Sequence, residues 1–524
     1  MLVATVLVVG AGPTGLTMAI ELARRGVGVE IIDASAGPAL ETRALGVQAR
    51  TLELFDKIDV ADAFIANGLP VAVFSVFSVF SENKQIVHVN MRGLDTPYPF
   101  TLMLPQRETE SLLATRLAEL GVKVRWRVEL TALTQHPNAV QVSLRHADGT
   151  VKPAEVEWLV GCDGARSTVR SKLGVPFAGT AFEENFAVAD LRMDWSLPHD
   201  QFYAFLNRGN FVAYFPMPSG AYRIAVGYPK GHAPQGDVSF AELEHAVERC
   251  SPLGSRVTEV DQTARFRINQ RKVKRHSGER VFLAGDAAHV HSVVGAQGMN
   301  TGIQDAFNLG WKLAAVAHNR APCELLDTYQ TERAPVVSRL VKGTRTFTRL
   351  VLLGNPLATA ARRGIAPRVM SRPHPQRTLA RALSELDITY RSRRGIGRRS
   401  PLAAGDRAPN VQVRNRSTGT VVGLFDVFDH KRHTLMIVAP ARPDGVAAAG
   451  SHTDRVRVLQ VARDDESASA AGDSVIDDPQ GEVAKRYCMP TGGYALIRPD
   501  GYIGALGVDG DADNVSRYLR KTFT

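Results

Sequence analysis

Cysteine is scarce in this chain, which narrows its possible class. Only four occur among 524 residues, far apart and without a CxxC pair: Cys162, Cys250, Cys323 and Cys488. A disulfide framework is therefore not expected, and a reducing, cytoplasmic location is favoured.

Long apolar runs are also missing. The N-terminal "MLVATVLVVG" is too short to span a bilayer, has no basic segment and continues into glycines, so it predicts a buried strand rather than a membrane or leader segment.

Aromatic residues are absent from the most basic stretch of the sequence. The net charge is +10, and five arginines fall within "RSRRGIGRRS", residues 391–400. Nucleic-acid sites usually combine a basic stripe with a recognisable motif or with stacking aromatics, and neither is present. A run of like charges is typical of a solvated linker. We therefore expect no nucleic-acid partner.

The first strongly patterned segment is "VLVVGAGPTG". Gly10, Gly12 and Gly15 form GxGxxG between an apolar strand and a helix, and Pro13 and Thr14 begin that helix. Such glycines allow a tight turn, close approach of backbone to a pyrophosphate, and close helix packing. The helix N-terminus adds unpaired N–H donors for the phosphates. Asp33 ends the next strand, where a carboxylate can bind ribose hydroxyls, so this βαβ unit predicts dinucleotide binding.

A later segment, "GDAAHVHSVVGAQGMNTG", raises three possibilities: a metal site, a nucleophile site or a site made by backbone amides. His289 and His291 have metal-ligand spacing, but no third ligand follows at a suitable distance, so no metal is expected. The glycines let N–H groups face a flat ligand. Gly298, Met299 and Asn300 are predicted to begin a helix whose amino end stabilises negative charge. Asp286 follows a strand, at the sheet edge where ligands bind.

Three motifs in this order resemble the class A flavin-dependent aromatic monooxygenases, the superfamily of p-hydroxybenzoate and phenol hydroxylases, and most of all the actinobacterial aromatic polyketide hydroxylases. They are "VLVVGAGPTG", "VGCDGARSTVR" and "LAGDAAHVHSVVGAQGMNTGIQDA". The resemblance implies FAD as cofactor. It also implies cofactor contacts for Arg43 along the flavin, Gln106 near the ribityl chain, Asp163 of the Asp-Gly motif, and Asp286 at the ribityl chain.

The implied activity is NAD(P)H-dependent hydroxylation of a phenolic or polycyclic aromatic compound by O2, through a flavin C4a-hydroperoxide. The co-substrate is NADPH or NADH, with NADPH favoured.

Many relatives have proline where this chain has Val293, beside Gly295 at the reacting face of the flavin. Two alternatives stay open. One is a Baeyer–Villiger or epoxidising monooxygenase, since the same hydroperoxide can serve either reaction, and the other is a non-redox scaffold or cyclase, which Val293 supports. No side-chain base is assigned. Candidate substrate-lining residues are Phe205, Tyr214, Phe215 and Met217, and strand alternation places Tyr214 and Phe215 on opposite faces.

The expected fold is α/β, with a glutathione-reductase-like Rossmann domain for FAD, an inserted antiparallel sheet for substrate, and a thioredoxin-like C-terminal domain. Alternating "PVAVFSVFSVF" and "GNFVAYFPM" predict the inserted strands. Cys488 stands alone in "RYCMPTGG", so the last domain is expected to be redox-inert. The oligomer is expected to be a monomer or homodimer. The expected divisions are residues 1–70, 101–180 and 275–390 for FAD, 71–100 and 181–274 for substrate, 391–408 as linker, and 409–524 for the last domain.

Overall fold

A computed structural model describes most of the chain: residues 2–39, 44–79, 84–207, 210–228, 232, 234–291, 296–352, 364–391, 401–438, 452, 454–462, 474–508 and 512–523. The fold is mixed α/β and divides into two compact units. One comprises Met1–Ala306 and Val337–Leu386, and the other comprises Phe307–Val336 and Asp387–Thr524. Among the described residues, the helices are too short or too polar to cross a membrane.

The helices are α1 (Pro13–Ala23), α2 (Ala49–Asp56), α3 (Ala61–Asn67), α4 (Gln106–Glu119), α5 (Thr168–Lys172), α6 (Phe240–Cys250), α7 (Gly298–Ala317), α8 (Asp327–Leu352), α9 (Pro373–Leu383), α10 (Leu424–Val427), α11 (Glu482–Arg486) and α12 (Asp513–Phe523). The strands are β1 (Leu2–Val9), β2 (Val29–Asp33), β3 (Gly46–Val47), β4 (Leu69–Val71), β5 (Val73–Ser78), β6 (Lys84–Asn90), β7 (Thr101–Met103), β8 (Arg125–Trp126), β9 (Glu129–Gln135), β10 (Val140–Arg145), β11 (Val151–Gly161), β12 (Phe177–Asp194), β13 (Gln201–Asn207), β14 (Asn210–Pro216), β15 (Tyr222–Gly227), β16 (Arg256–Val273), β17 (Ser277–Gly278), β18 (Val281–Leu283), β19 (His289–Val290), β20 (Gln412–Asn415), β21 (Val421–Gly423), β22 (His433–Val438), β23 (Val456–Ala462), β24 (Ser474–Asp477), β25 (Gly493–Ile497) and β26 (Ile503–Val508).

The first sheet is built around the apolar N-terminal strand. Its order is β17-β18-β11-β1-β2-β8, and β10 and β9 extend it from β11. Strand β1 pairs in parallel with both β2 and β11, and β11 pairs in parallel with β18. Val6 to Val8 are at most 1% exposed, as a strand covered on both faces requires. The predicted βαβ unit is confirmed: β1, α1 and β2 follow one another, and all three motifs leave the carboxyl ends of β1, β11 and β18.

The second sheet is mostly antiparallel, in the order β19-β16-β12-β15-β14-β13-β5-β6. Helix α6 packs on one face, where Leu243 and Val247 join the buried aromatic residues of β13, β14 and β15. The predicted alternating segment at Pro70–Met91 forms the antiparallel pair β5 and β6. Next to this sheet in the same unit is a small sheet, β3-β7-β4, whose residues Leu45, Val71 and Met103 share a core cluster with Phe215 and Met217.

The third sheet lies in the other unit, in the order β21-β20-β24-β23-β22-β25-β26. Its core is formed by β22, β23 and β25 together with α10 and α11, and α12 covers the other face through Val515 and Leu519. Cys488 is a free thiol.

Residues 307–336 group with 387–524 in one of the two compact units. The expected assignment of residues 275–390 to the FAD-binding domain stays a prediction. A buried ion network explains the grouping: Glu332 of α8 bonds to Arg498, which follows β25, and to Lys312 of α7. Residues 392–400, most of the predicted basic linker, lie outside the described residues.

Candidate functional site

The glycine loop after β1 leaves no room for side chains at two of its three glycines. Gly10 has φ +102°, and a Cβ there would lie 2.5 Å from the carbonyl oxygen of Cys162. A Cβ on Gly15 would lie 1.8 Å from the carbonyl oxygen of Gly10. Gly12 differs, because a Cβ there meets nothing within 4 Å. The first and third glycines therefore serve packing, and the space beside Gly12 is open to a ligand.

The amino end of α1 offers unpaired donors. Gly12 is the N-cap without a side-chain cap, and Pro13 occupies the first turn. Leu16 is the first residue whose N–H bonds back into the helix, to Gly12 O at 2.9 Å. Within the described part of the chain, the N–H groups of Thr14 and Gly15 have no hydrogen-bond partner. Two free N–H groups at a helix N-terminus are suited to bind a phosphate.

Asp33 lies beside this loop, at the carboxyl end of β2. Its Oδ2 accepts from Ala11 N at 2.7 Å and its Oδ1 accepts from Ser35 N at 2.8 Å. The carboxylate therefore fixes the glycine loop. Each oxygen still has a lone pair for a further donor such as a ribose hydroxyl.

The Asp-Gly motif contacts the same loop from β11. A Cβ on Gly10 would lie 2.8 Å from Asp163 Cα. The Asp163 carboxylate accepts from Ser167 Oγ at 2.5 Å and from Val169 N at 3.0 Å, so it caps the start of α5. Burial raises the pKa of the Asp163 carboxyl, and these hydrogen bonds oppose that rise. The structure thus shows a capping role, and a cofactor contact for Asp163 stays a prediction.

The third motif closes on Thr14 of α1. Gly285 has φ +59°, and a Cβ there would lie 2.6 Å from Thr14 Oγ1. On α7, a Cβ on Gly302 would lie 2.3 Å from the same oxygen. Asp286, next in the chain, is exposed. The three motifs, widely separated in sequence, therefore meet around the glycine loop, with the Asp286 carboxylate accessible to a ligand.

The amino end of α7 is held by Asn300. Its buried side chain accepts from Gln48 N at 2.8 Å and donates to Gly46 O at 2.9 Å and to Ala296 O at 2.8 Å. The side chain of Asn300 thus holds β3, and a cofactor contact at this helix start stays a prediction. Gly298 and Met299 are partly exposed. Val293 and Gly295, predicted beside the flavin, lie outside the described residues.

Gln106, a further cofactor candidate, begins α4 and is held by two hydrogen bonds. Gln106 accepts from Ala44 N at 3.3 Å and donates to Glu110 Oε1 at 2.8 Å. Burial raises the pKa of Glu110. Arg43 precedes Ala44 in the chain but lies outside the described residues. The cofactor contacts expected of Gln106 and Arg43 therefore stay predictions.

The four candidate substrate residues divide between the two faces of the antiparallel sheet. Phe205 and Tyr214 belong to the buried core under α6, and the Tyr214 hydroxyl bonds to Ser251. Phe215 and Met217 lie on the other face, in the cluster of Leu45. The alternation predicted for Tyr214 and Phe215 is confirmed. Since Phe205 and Tyr214 form core, only Phe215 and Met217 remain accessible to a substrate.

Sequence reasoning missed two residues on the accessible face. Phe202 packs on Phe215 with ring centroids 4.9 Å apart, and Phe74 packs on Phe202 at 5.2 Å. All three rings are partly buried; we call them the aromatic wall. It adjoins the small sheet β3-β7-β4 through Leu45 and Met103. Asn300 ties β3 to α7, so the wall and the amino end of α7 flank the same small sheet. The available signal was period-two alternation, which places Phe202 on the face opposite Tyr203 and Phe205.

The two histidines do not form a metal site. His289 is wholly buried, and its Nε2 lies 2.6 Å from Asp305 Oδ2. Among the described residues, three or more His, Cys, Asp or Glu are nowhere grouped to hold a metal ion. His289 is instead bonded to Asp305 inside the protein.

The residues present fit FAD. The open space at Gly12, the two free N–H groups of α1, the accessible Asp286 and the partly exposed start of α7 are the features that an adenine dinucleotide with a flat ring system requires. Asp33 lies beside the glycine loop, bonded to Ala11 N, and its contact with the ribose of a dinucleotide stays a prediction.

Comparisons with known proteins support FAD as the cofactor. A family model described as FAD binding domain matches residues 3–344, and a model described as aromatic-ring hydroxylase, C-terminal, matches residues 401–524. The chain is 38% identical to 6-methylpretetramide 4-monooxygenase of Streptomyces rimosus, over 96% of this chain and 90% of that protein. It resembles the structure of anhydrotetracycline hydroxylase from Streptomyces rimosus, with TM-score 0.80, 32% identity and 99% of each chain covered. It also resembles aklavinone-11 hydroxylase, solved in complex with FAD and aklavinone, with TM-score 0.80, 25% identity and 99% of each chain covered.

Proposed function

Because the chain belongs to the family of FAD-dependent aromatic monooxygenases, we propose that it hydroxylates a polycyclic aromatic or phenolic compound of polyketide type, using O2 and NADPH or NADH. The observation that carries the proposal is the meeting of three motifs around one glycine loop, beside a sheet face lined by aromatic rings. No observation on the described residues favours a Baeyer–Villiger reaction or a non-redox role.

Several predicted cofactor residues have a part in this proposal. The N–H groups of Thr14 and Gly15 would hold the pyrophosphate, and Asp33 would hold the adenosine ribose. Asp286 would bind the ribityl chain, and the amino end of α7 would stabilise negative charge on the reduced cofactor by about 0.3–2 kcal/mol. Bound FAD supplies the chemistry of two-electron reduction by NAD(P)H and activation of O2.

The contribution of the protein to hydroxylation is orientation and exclusion of water. The aromatic wall stacks against a flat substrate, since ring pairs at 4.5–7 Å separation are favourable by about 0.5–1.5 kcal/mol. Its apolar neighbours Leu45, Val71 and Met103 are at most 4% exposed and keep water from that face. We assign no side-chain base, and the nicotinamide docks transiently because no second strand–GxGxxG–helix unit occurs in the sequence.

The finer architecture is also part of the proposal. The first unit combines a glutathione-reductase-like Rossmann domain with the inserted antiparallel sheet. The sheet β20–β26 forms a thioredoxin-like domain without a redox role, since Cys488 has no cysteine partner in the sequence segment around it. We propose a monomer or homodimer located in the cytoplasm, with no nucleic-acid partner.

Anaerobic rapid mixing tests this function. The FAD-loaded protein is mixed with NADPH or NADH, alone and with tetracyclic polyketide phenols or single-ring phenols, and flavin bleaching is followed. We expect bleaching that is accelerated by the tetracyclic compounds, and a product heavier by one oxygen after air is admitted. Bound FAD that neither nucleotide bleaches would overturn the proposal. Oxygen inserted beside a ketone instead of on a ring would replace it with the Baeyer–Villiger alternative.

A further inference from the structure

A buried histidine–aspartate pair lies behind the proposed cofactor site and has no part in the function described so far. His289 of β19 and Asp305 of α7 are both 0% exposed at the side chain, with 2.6 Å between Nε2 and Oδ2. A buried ionisable pair costs desolvation free energy, so its presence at this place calls for a compensating role. With the proton on Nε2, Nδ1 keeps only a lone pair, and in the described part of the chain that atom is buried without a partner.

The same Asp305 oxygen also holds the turn that carries Asp286. Oδ2 accepts from Gly285 N at 3.1 Å as well as from His289. Gly285 has φ +59°, a conformation that few side chains tolerate, so its placement depends on such contacts. Two bonds converging on one oxygen therefore tie the Asp286 turn to the second turn of α7.

Close packing supports the same connection. Gly302 lies one helical turn before Asp305, and a Cβ there would come within 3.1 Å of Gly285 Cα and 2.3 Å of Thr14 Oγ1. Helix α7, the Gly285 turn and the amino end of α1 are thus in mutual contact. A shift of Asp305 would move Asp286 and the first turn of α7 relative to each other.

We infer that Asp305, oriented by His289, is a positioning residue: it holds the Asp286 turn and the amino end of α7 in the relative placement that binding of FAD requires. The inference rests on the proposed assignment of Asp286 and Gly298–Asn300 to the cofactor. It differs from a packing role, because a packing role affects stability alone, whereas positioning affects the affinity and the electronic environment of the bound flavin.

The test uses the full chain, stripped of flavin and titrated with FAD. Both bonds end on a single oxygen, so Asp305→Asn can keep them and is the conservative variant, whereas Asp305→Ala removes them. We expect Asp305→Ala to weaken FAD binding about 10- to 100-fold, the range known for residues that orient metal ligands from behind, and to change the visible circular dichroism of the bound flavin. Asp305→Asn should restore most of the affinity. His289→Ala and His289→Gln form a second pair with the same expected order.

The matched control is Asp148→Ala, on an exposed turn between β10 and β11, which should leave FAD affinity unchanged. Melting of the flavin-free proteins separates loss of stability from loss of affinity. Wild-type affinity and flavin spectrum in folded Asp305→Ala would overturn the inference. If Asp305→Ala does not fold, equal FAD affinity for His289→Ala and His289→Gln, both as wild type, would overturn it instead. Failure of the wild-type chain to bind FAD, or no effect of Asp286→Ala, would refute the proposed site and not the pair.

Discussion

Glu332 is the centre of a buried ion network in the unit that contains the third sheet, and its removal should destabilise that unit. The carboxylate accepts from Arg498 Nη1 at 2.6 Å and Nη2 at 2.9 Å, from Lys312 Nζ at 2.8 Å and from Asn308 Nδ2 at 2.7 Å. The side chains of Arg498 and Lys312 are 5% and 1% exposed. Because both cations are buried, neither can be hydrated when the Glu332 carboxylate is removed.

The expected cost follows from these contacts. A hydrogen bond to a charged group contributes about 1.5–3 kcal/mol, and removal of one partner of a buried pair costs about 3–5 kcal/mol. Asp500 still accepts from Arg498 Nε at 3.0 Å, so the four bonds do not add. We expect Glu332→Ala to lower the free energy of unfolding by about 3–5 kcal/mol. Glu332→Gln, which keeps one acceptor, should cost about 1.5–3 kcal/mol.

Trp311 reports on this network, since its Nε1 donates to Asp500 Oδ2 at 3.3 Å. It is the one tryptophan in the sequence of residues 307–336 and 387–524. Labelling with 5-fluorotryptophan and following its fluorine resonance through a urea titration therefore measures unfolding of this unit. The control Glu482→Gln breaks an exposed 3.0 Å pair with Lys485 and should cost below about 1 kcal/mol. A Glu332→Ala change no larger than the control would refute the reasoning.

The network also sets a dependence on pH. Burial opposes ionisation of Glu332, but Arg498 and Lys312 outweigh it, so the pKa of Glu332 is lowered from its ordinary value of 4.5. A lowered folded-state pKa means that the stabilisation is fully present above pH 4.5 and is lost as pH falls below it. The Trp311 transition should therefore weaken in acid in the wild type. The loss should be smaller in Glu332→Gln, and an equal loss in both would contradict the assignment.

Three further predictions concern the site. Gly15→Ala places a Cβ 1.8 Å from Gly10 O, so the purified protein should contain little FAD, as measured by the ratio of flavin to protein absorbance; a normal ratio would contradict the geometry. In Gly302→Ala the new Cβ would lie 2.3 Å from Thr14 Oγ1, so Thr14→Ala should recover part of the stability that Gly302→Ala loses. A double-mutant cycle should give an interaction energy of about 0.5–3 kcal/mol. Additive effects of the two substitutions would argue against the contact. Phe202 belongs to the aromatic wall, so Phe202→Ala should raise the KM for a polycyclic substrate about 2- to 10-fold. The control Phe205→Leu changes the α6 face and should lower the melting temperature while leaving KM unchanged. Equal KM effects of the two would show that the wall does not contact substrate.

The local parts of the site were readable from the sequence. A strand, three glycines, a helix start and an acid at the next strand end are set by short-range backbone geometry, so the βαβ unit and the position of Asp33 beside the loop were predicted correctly. Alternation along a strand is equally local, and it correctly placed Tyr214 and Phe215 on opposite faces. Such features depend on residues within one or two elements.

Long-range pairing decided the rest. The sequence could not tell which sheet face meets α6, so it could not assign Phe205 and Tyr214 to the core and Phe215 to the accessible side. The side chain of Asn300 bonds to Gly46 and Gln48, more than 250 positions away, which the sequence did not indicate. Likewise, Glu332 meets Arg498 across 166 positions and joins 307–336 to the C-terminal unit. Residues so far apart in sequence come together only when the elements pack, because a buried polar group takes whichever partner the fold brings within hydrogen-bond reach.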